Sequence, residues 1–162
     1  MSLDDFRKTT EQKGWKLCAQ LLLDVPNISV EMKEEFGTYW IEAGHHIREQ
    51  ISDDRYLVRF LRHLLPPYNG DALVLFRGES LERWIAGAVG LAWTPKIEVA
   101  RMFARGLNSV GSGGVLLTGR FEAKAIISGS NAHSCYLGEN HLTVDPFSGT
   151  SLTAIERFAP NL

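Results

Sequence analysis

At 162 residues, with 44% hydrophobic and 22% charged residues, the chain has the size and composition of one globular domain with a sizeable core. Seventeen Lys and Arg against nineteen Asp and Glu give a formal net charge of −2 with no polybasic run, which excludes a global electrostatic attraction to nucleic acid or to an anionic membrane. No apolar run approaches the roughly 20 residues of a membrane span. The start Met-Ser-Leu-Asp-Asp lacks the basic and apolar regions of a signal peptide, so the cytoplasm is the expected compartment, an exported effector being the other chain type with these features.

Residues 1–65 read as helical and residues 71–158 as strand-rich, within a single domain spanning 1–162. Between them Pro66-Pro67-Tyr68-Asn69-Gly70 stops one element and turns into the next. Trp15, Cys18, Leu21 and Leu22 give a first helix one apolar face, and Pro26 ends it. Phe36, Trp40, Ala43, Ile47 and Ile51 recur at steps of three and four, the stripe of a second helix that Asn27 and Ser29 can cap. Leu57, Phe60, Leu61 and Leu64 mark a third, opened by Ser52-Asp53-Asp54. Three such stripes need a surface to cover, and the sheet that follows is the expected one.

Ala72-Leu73-Val74-Leu75-Phe76-Arg77 is a short apolar run ending in a charge, the pattern of a strand buried on both faces. Leu91-Ala92-Trp93 is a second, brief strand. Thr94 as N-cap and Pro95 at the first helical position then open a helix whose apolar side carries Val99, Met102 and Phe103. Gly111-Ser112-Gly113-Gly114 reads as a hairpin or mobile loop into a strand from Val115 to Phe121; it lacks the lysine and spacing of a phosphate loop. Lys124 to Ser128, His141 to Val144 and Ser151 to Phe158 are the remaining strand candidates.

Arg77, at the end of its strand and followed by Gly78, offers a planar fork suited to phosphate or ribose oxygens, beside a glycine that lets a ligand approach the backbone. A structural ion pair, to Glu79 or to a helix carboxylate, is the competing role. Cys18 and Cys135 form no motif, and Cys18 sits in an apolar helical stretch as a buried thiol. His45-His46, at adjacent and therefore diverging helix positions, and His133-Ser134-Cys135, in an expected loop, each lack the further ligands of a zinc site, so no metal is expected. Glu79 and Glu122 read as solvated carboxylates.

Four pieces occur in order: Phe76-Arg77-Gly78-Glu79, Gly90-Leu91-Ala92-Trp93-Thr94, Ala100-Arg101-Met102-Phe103-Ala104 and Leu142-Thr143-Val144-Asp145-Pro146. Together they resemble the Arg–Ser–Glu type of compact bacterial and phage ADP-ribosyltransferases, whose pattern runs Arg-Gly, Ser-Trp-Thr, Ala-x-x-Phe-Ala and Glu-Val-x-Val-Asp-Pro. The resemblance implies an α+β fold with a split two-sheet core, here behind an N-terminal three-helix region, that clamps NAD as substrate and needs no metal. It implies that Arg77 binds the diphosphate or the nicotinamide ribose, that the Gly78 backbone holds the carboxamide, and that Trp93 or Phe103 lines the ring pocket or braces the sheet beneath it. The implied activity is transfer of ADP-ribose to a protein or nucleic-acid acceptor, or hydrolysis of NAD.

Two positions depart from that pattern. Ala92 stands where the family has serine, so no hydroxyl orients a carboxylate there; Thr94, two residues on and on the same strand face, offers one, unless it is only a helix cap. His141 stands where the catalytic glutamate belongs. Cleaving the nicotinamide–ribose bond builds positive charge on the ribose, which a carboxylate stabilises; neutral histidine supplies no charge, and protonated histidine repels the cation. Glu139, two residues earlier and expected on the same strand face as His141, is the replacement carboxylate. Three readings stay open for a cleft bordered by Arg77, Ala92-Trp93-Thr94 and Glu139–His141. The first is an NAD-consuming transferase that uses Glu139. The second is an inactive descendant that binds a nucleotide or a protein partner, and the third a toxin-like NAD phosphorylase or hydrolase on a related fold. No membrane partner is expected.

Overall fold

Four helices, not three, precede the strands in the computed structural model, which describes residues 1–161. The expected first helix is α2 (Trp15–Leu23); a further helix, α1 (Leu3–Glu11), precedes it, parted from it at Lys13, whose backbone is left-handed at φ 55°, and Gly14. Phe6 is the one buried residue of α1, which therefore leaves no apolar stripe in the sequence; what starts it is the reciprocal cap between Ser2 and Asp5. In α2 the buried face is Trp15, Ala19 and Leu22, and Leu21, expected on it, is 60% exposed. Helices α3 (Val30–Ile51) and α4 (Asp54–Leu64) bury the stripes read from the sequence and are capped by Ser29 and Asp53.

These helices pack chiefly on one another rather than on a sheet. Phe6, Trp15, Phe36, Tyr39 and Phe60 form an aromatic cluster with neighbouring ring centroids 5.5–6.2 Å apart. A bundle of four can bury its own stripes, so the strand half is met only at a seam. Leu91 and Ile127 join the helical core there, and Trp40 Nε1 donates to Thr143 Oγ1 at 2.9 Å.

Among the described residues the second half carries six strands, β1 (Leu73–Ser80), β2 (Ala92–Trp93), β3 (Gly114–Phe121), β4 (Ile126–Ser128), β5 (Leu142–Val144) and β6 (Leu152–Phe158). Short helices α5 (Leu81–Ile85) and α7 (Ala132–Tyr136) and the longer α6 (Ile97–Arg105) lie between them. The strands form two antiparallel sheets, ordered β1-β3-β6 and β2-β5-β4, so the chain is α+β with seven α-helices among the described residues. Among the described residues the sheets are joined by backbone hydrogen bonds at one bridge: the Phe76 amide donates to the Thr94 carbonyl at 2.8 Å, and the Thr94 amide to the Phe76 carbonyl at 2.9 Å. No helix among the described residues is long and apolar enough to cross a membrane.

Several boundaries differ from expectation for reasons visible locally. Strand β1 runs three residues past Arg77, and Val74 on it is 52% exposed, so it is not buried on both faces. Thr94 does not cap α6: the bridge to Phe76 keeps its backbone extended, and the helix begins only at Ile97, after Lys96. Its hydroxyl instead accepts from the Lys96 amide in a turn before the helix. Residues 111–114 are neither hairpin nor free loop; they connect α6 to β3, and Gly113, at φ 108°, accepts from the Leu81 amide on its carbonyl. Residues 123–125 are a 3₁₀ turn, which shortens the expected strand to β4.

Helix α6 crosses β1 and β3 closely because glycine stands at both crossing points. A Cβ on Gly78 would run into the Ala100 carbonyl and the Ala104 amide, and one on Gly114 into the Ala104 carbonyl. Backbone cannot swing aside as a side-chain tip can, so Gly78→Ala is expected to lower unfolding free energy by roughly 2–3 kcal/mol, the upper part of the overpacking range. Urea denaturation of the two proteins measures this. A change within about 0.5 kcal/mol, the size of a neutral surface substitution, would refute the close-crossing account.

Candidate functional site

A cavity of about 1060 Å³ opens where α3, β1, β2, α6 and the segment before β5 meet, at the upper end of the roughly 300–1,000 Å³ of small-molecule and cofactor sites. Arg77, Gly78, Ala92 and Thr94 line it from the two sheets; Phe103 comes from α6, and Glu139 and His141 from the segment before β5. The expected site residues therefore converge, with one exception. Alternation along β2 sends Ala92 and Thr94 to the cavity and Trp93 to the opposite side. There Trp93 is 1% exposed, its ring centroid 5.0 Å from that of Phe121, and its Nε1 donates to the Gly90 carbonyl at 3.0 Å. Trp93 braces the core beneath the cavity, and stacking on a ligand is closed to it.

Glu79 is the centre of the site's electrostatics, and it is fully buried rather than solvated. Residues two apart on a strand share a face, which brings Glu79 beside Arg77. Its Oε2 accepts from Arg77 Nε at 2.8 Å and from the Gly90 amide at 2.9 Å; its Oε1 accepts from Arg83 Nε at 2.8 Å and from the Ser80 amide at 2.9 Å. Burial alone would raise its pKa, but Arg77, the Gly90 amide and Arg83 outweigh that and hold it below the ordinary carboxylate range. Arg77 also donates from Nη1 to the Ala92 carbonyl at 2.8 Å. The structural ion pair weighed against ligand binding for Arg77 is thus present, and it orients a guanidinium that still borders the cavity. Gly78 also makes room for α6 on its open side, and its carbonyl accepts from Asn108 Nδ2 at 2.8 Å.

Glu139 and His141 are brought together by a turn, not by strand alternation. Asn140 between them has φ 49°, and β5 begins only at Leu142. Helix α7, formed by residues expected in a loop and capped by Asn131, supplies buried Ser134. Its Oγ accepts from the His141 amide at 2.8 Å and its carbonyl from the Glu139 amide at 3.1 Å. Thr94 Oγ1 donates to the Glu139 carbonyl at 2.7 Å. His141 Nδ1 ends 3.3 Å from Glu139 Oε2, and its ring lies 5.6 Å from that of Phe103. Burial, and to a lesser degree the charge of Arg77, push the His141 pKa down to about 4 despite that neighbour, so His141 is neutral near pH 7.

The wall contributed by α3 is the part that sequence reasoning missed. His45, Arg48 and Glu49 line the cavity, and the i,i+3 spacing of His45 and Arg48 on the flank of a buried stripe is the signal that marks them. Arg48 is bidentate to Asp54, at 2.9 and 2.7 Å, and also donates to the Ala88 carbonyl at 3.2 Å. His45 and His46 do not diverge: their rings lie 3.9 Å apart, and burial and the charge of His46 lower the His45 pKa against the pull of Glu49. Among the described residues no three His, Cys, Asp or Glu side chains group as metal ligands.

The His141 environment has a consequence for stability. Unfolded, the imidazole titrates near 6.5; folded, near 4, so between these values the unfolded chain binds a proton that the folded chain refuses. Unfolding free energy is therefore expected to fall as pH drops through this window, by up to about 3 kcal/mol from this group. Denaturation of wild type and His141→Gln across the window reads the difference. Equal pH slopes for the two proteins would show that His141 is not the group responsible.

Comparison with protein-family models, with curated proteins and with solved structures finds no match to this chain, so what the cavity does is judged from its own residues.

Proposed function

We propose that the cavity binds NAD and that the chain is an ADP-ribosyltransferase-like protein, with Glu139 as its catalytic carboxylate and ADP-ribose transfer or NAD hydrolysis as its reaction. The observation that supports this reading best is convergence: residues separated by more than sixty positions, Arg77, Thr94, Glu139 and His141, border one cavity at the joint of two small antiparallel sheets. In this reading Arg77 faces the anionic part of the dinucleotide and Phe103 offers an aromatic surface beside the nicotinamide. The nicotinamide–ribose bond breaks with its electron pair leaving on the nicotinamide nitrogen. The positive charge left on the ribose faces the Glu139 carboxylate, to which the protein's neutral His141 adds no opposing charge.

The rival reading is a nucleotide-binding protein without turnover, and a specific pair of observations favours it. Ala92 brings no hydroxyl, and the Thr94 hydroxyl donates to the Glu139 backbone carbonyl rather than to a carboxylate. Neither residue orients the Glu139 side chain.

Incubation with NAD separates the two. Binding to the folded state alone raises its stability by about 2.7 kcal/mol at a hundredfold excess over Kd, a melting shift of several degrees. Wild type is expected to show that shift together with release of free nicotinamide. Glu139→Gln is expected to keep the shift and lose release by about 10²-fold or more, the scale of losing one transition-state electrostatic partner. A shift without release in wild type would establish the binding protein, and no shift at all would overturn the NAD assignment.

A further inference from the structure

We propose that Arg83 is the second cation of a diphosphate-binding subsite, built together with Arg77 on the shared carboxylate of Glu79; the subsite rests on the NAD reading only for the identity of the natural ligand. The two guanidiniums are held edge-on, each giving its Nε–H to a different oxygen of one carboxylate at 2.8 Å. One buried anion between two guanidiniums leaves one positive charge unmatched. The amides of Ser80 and Gly90 take the remaining acceptor capacity of Glu79, so the carboxylate cannot turn to another partner.

Each guanidinium keeps one nitrogen without a partner, on a residue that lines the cavity. Arg77 uses Nη1 on the Ala92 carbonyl, and Arg83 uses Nη2 on Asn108 Oδ1 at 3.2 Å. Arg77 Nη2 and Arg83 Nη1 have no acceptor among the described residues. Arg77 Nη2 is not among the buried unpartnered atoms and so keeps some contact with solvent, Arg83 Nη1 sits on a half-exposed side chain, and both residues line the cavity. The side chain of Arg83 is 48% exposed, against 15% for Arg77. Gly90 gives Arg77 its place, since a Cβ there would run into Nη2 and Cζ. Arg48, the cavity's third arginine, is matched by Asp54 and is no part of the subsite. Two fixed forks one carboxylate apart suit a ligand with two adjacent anionic groups, which is a diphosphate.

The test uses the full chain with inorganic diphosphate, ADP-ribose and the phosphate-free nicotinamide riboside as probes. Wild type is expected to bind the first two with an affinity that falls as salt is raised. Arg83→Gln should weaken both by about 10- to 100-fold, the scale of one charge-assisted hydrogen bond, and leave nicotinamide riboside unchanged, with Arg83→Lys recovering part of the loss. A measurement on wild type removes any dependence on how the variants fold: diphosphate should protect Arg83 from an arginine-selective reagent, read by peptide mass. Protection with no binding of NAD would keep the subsite and defeat the NAD reading. Tight ADP-ribose binding that survives Arg83→Gln would defeat the subsite and keep NAD, and an Arg83 that reacts equally with and without diphosphate would overturn it.

Discussion

A carboxylate without water survives only if its lone pairs are met by donors, because an unpaired buried charge costs several kcal/mol. Glu79 meets that condition with two guanidiniums and two amides drawn from β1, α5 and the turn before β2. The stretch from Arg77 to Gly90 is therefore wrapped around a single anion. Its geometry is cooperative: the Gly90 amide can reach Oε2 only if the turn is formed, and Arg83 can reach Oε1 only if α5 starts at Leu81, where the Ser80 side chain caps it. The direction of Arg77 follows from this arrangement. A guanidinium gripped at Nε and Nη1 has little rotational freedom left, so what it presents to the cavity is set before any ligand arrives.

The second constraint is the joint between the sheets. The sheet of β2, β5 and β4 is marginal by itself, its strands being two or three residues long. The paired hydrogen bonds of Phe76 and Thr94 join it to the other sheet one residue before Arg77 and one after Trp93. Thr94 then spends its hydroxyl twice, accepting from Lys96 and donating to the Glu139 carbonyl. One residue thus fixes where α6 begins, where β2 ends and how far Glu139 stands from the sheet. The distance between the cationic and anionic sides of the cavity is a property of this joint.

Much of this was legible in the sequence because it depends on local pattern. The stripes of α3 and α4 follow from three-and-four spacing, and the cavity-facing positions Ala92 and Thr94 from alternation with buried Trp93 between them. What escaped depends on distant partners. Glu79 reads as one charge among many until Gly90 and Arg83 fold back onto it, although its two-residue spacing from Arg77 already placed both on one face. Helix α1 buries a single residue and announces itself only through its cap. Glu139 and His141 do end side by side, but through the left-handed Asn140 and the hold of Ser134, neither of which a strand pattern contains.

The helical half belongs to the same network. Helix α3 bends at Ala43, φ −131°, where the Trp40 ring lies over Gly44, 3.0 Å from where a Cβ would stand. On one side of the bend Trp40 reaches Thr143 of β5, next to the segment that carries His141. On the other, Arg48 is locked onto Asp54 of α4 and holds the Ala88 carbonyl, two residues before the amide that Gly90 gives to Glu79. A line of direct contacts thus runs from α4 through α3 to the turn before β2, and from there to Glu79 and Arg77. Both ends of the cavity are referenced to one helix, so residues 1–65 act as the frame against which its charged groups are spaced and not merely as a cover over a sheet.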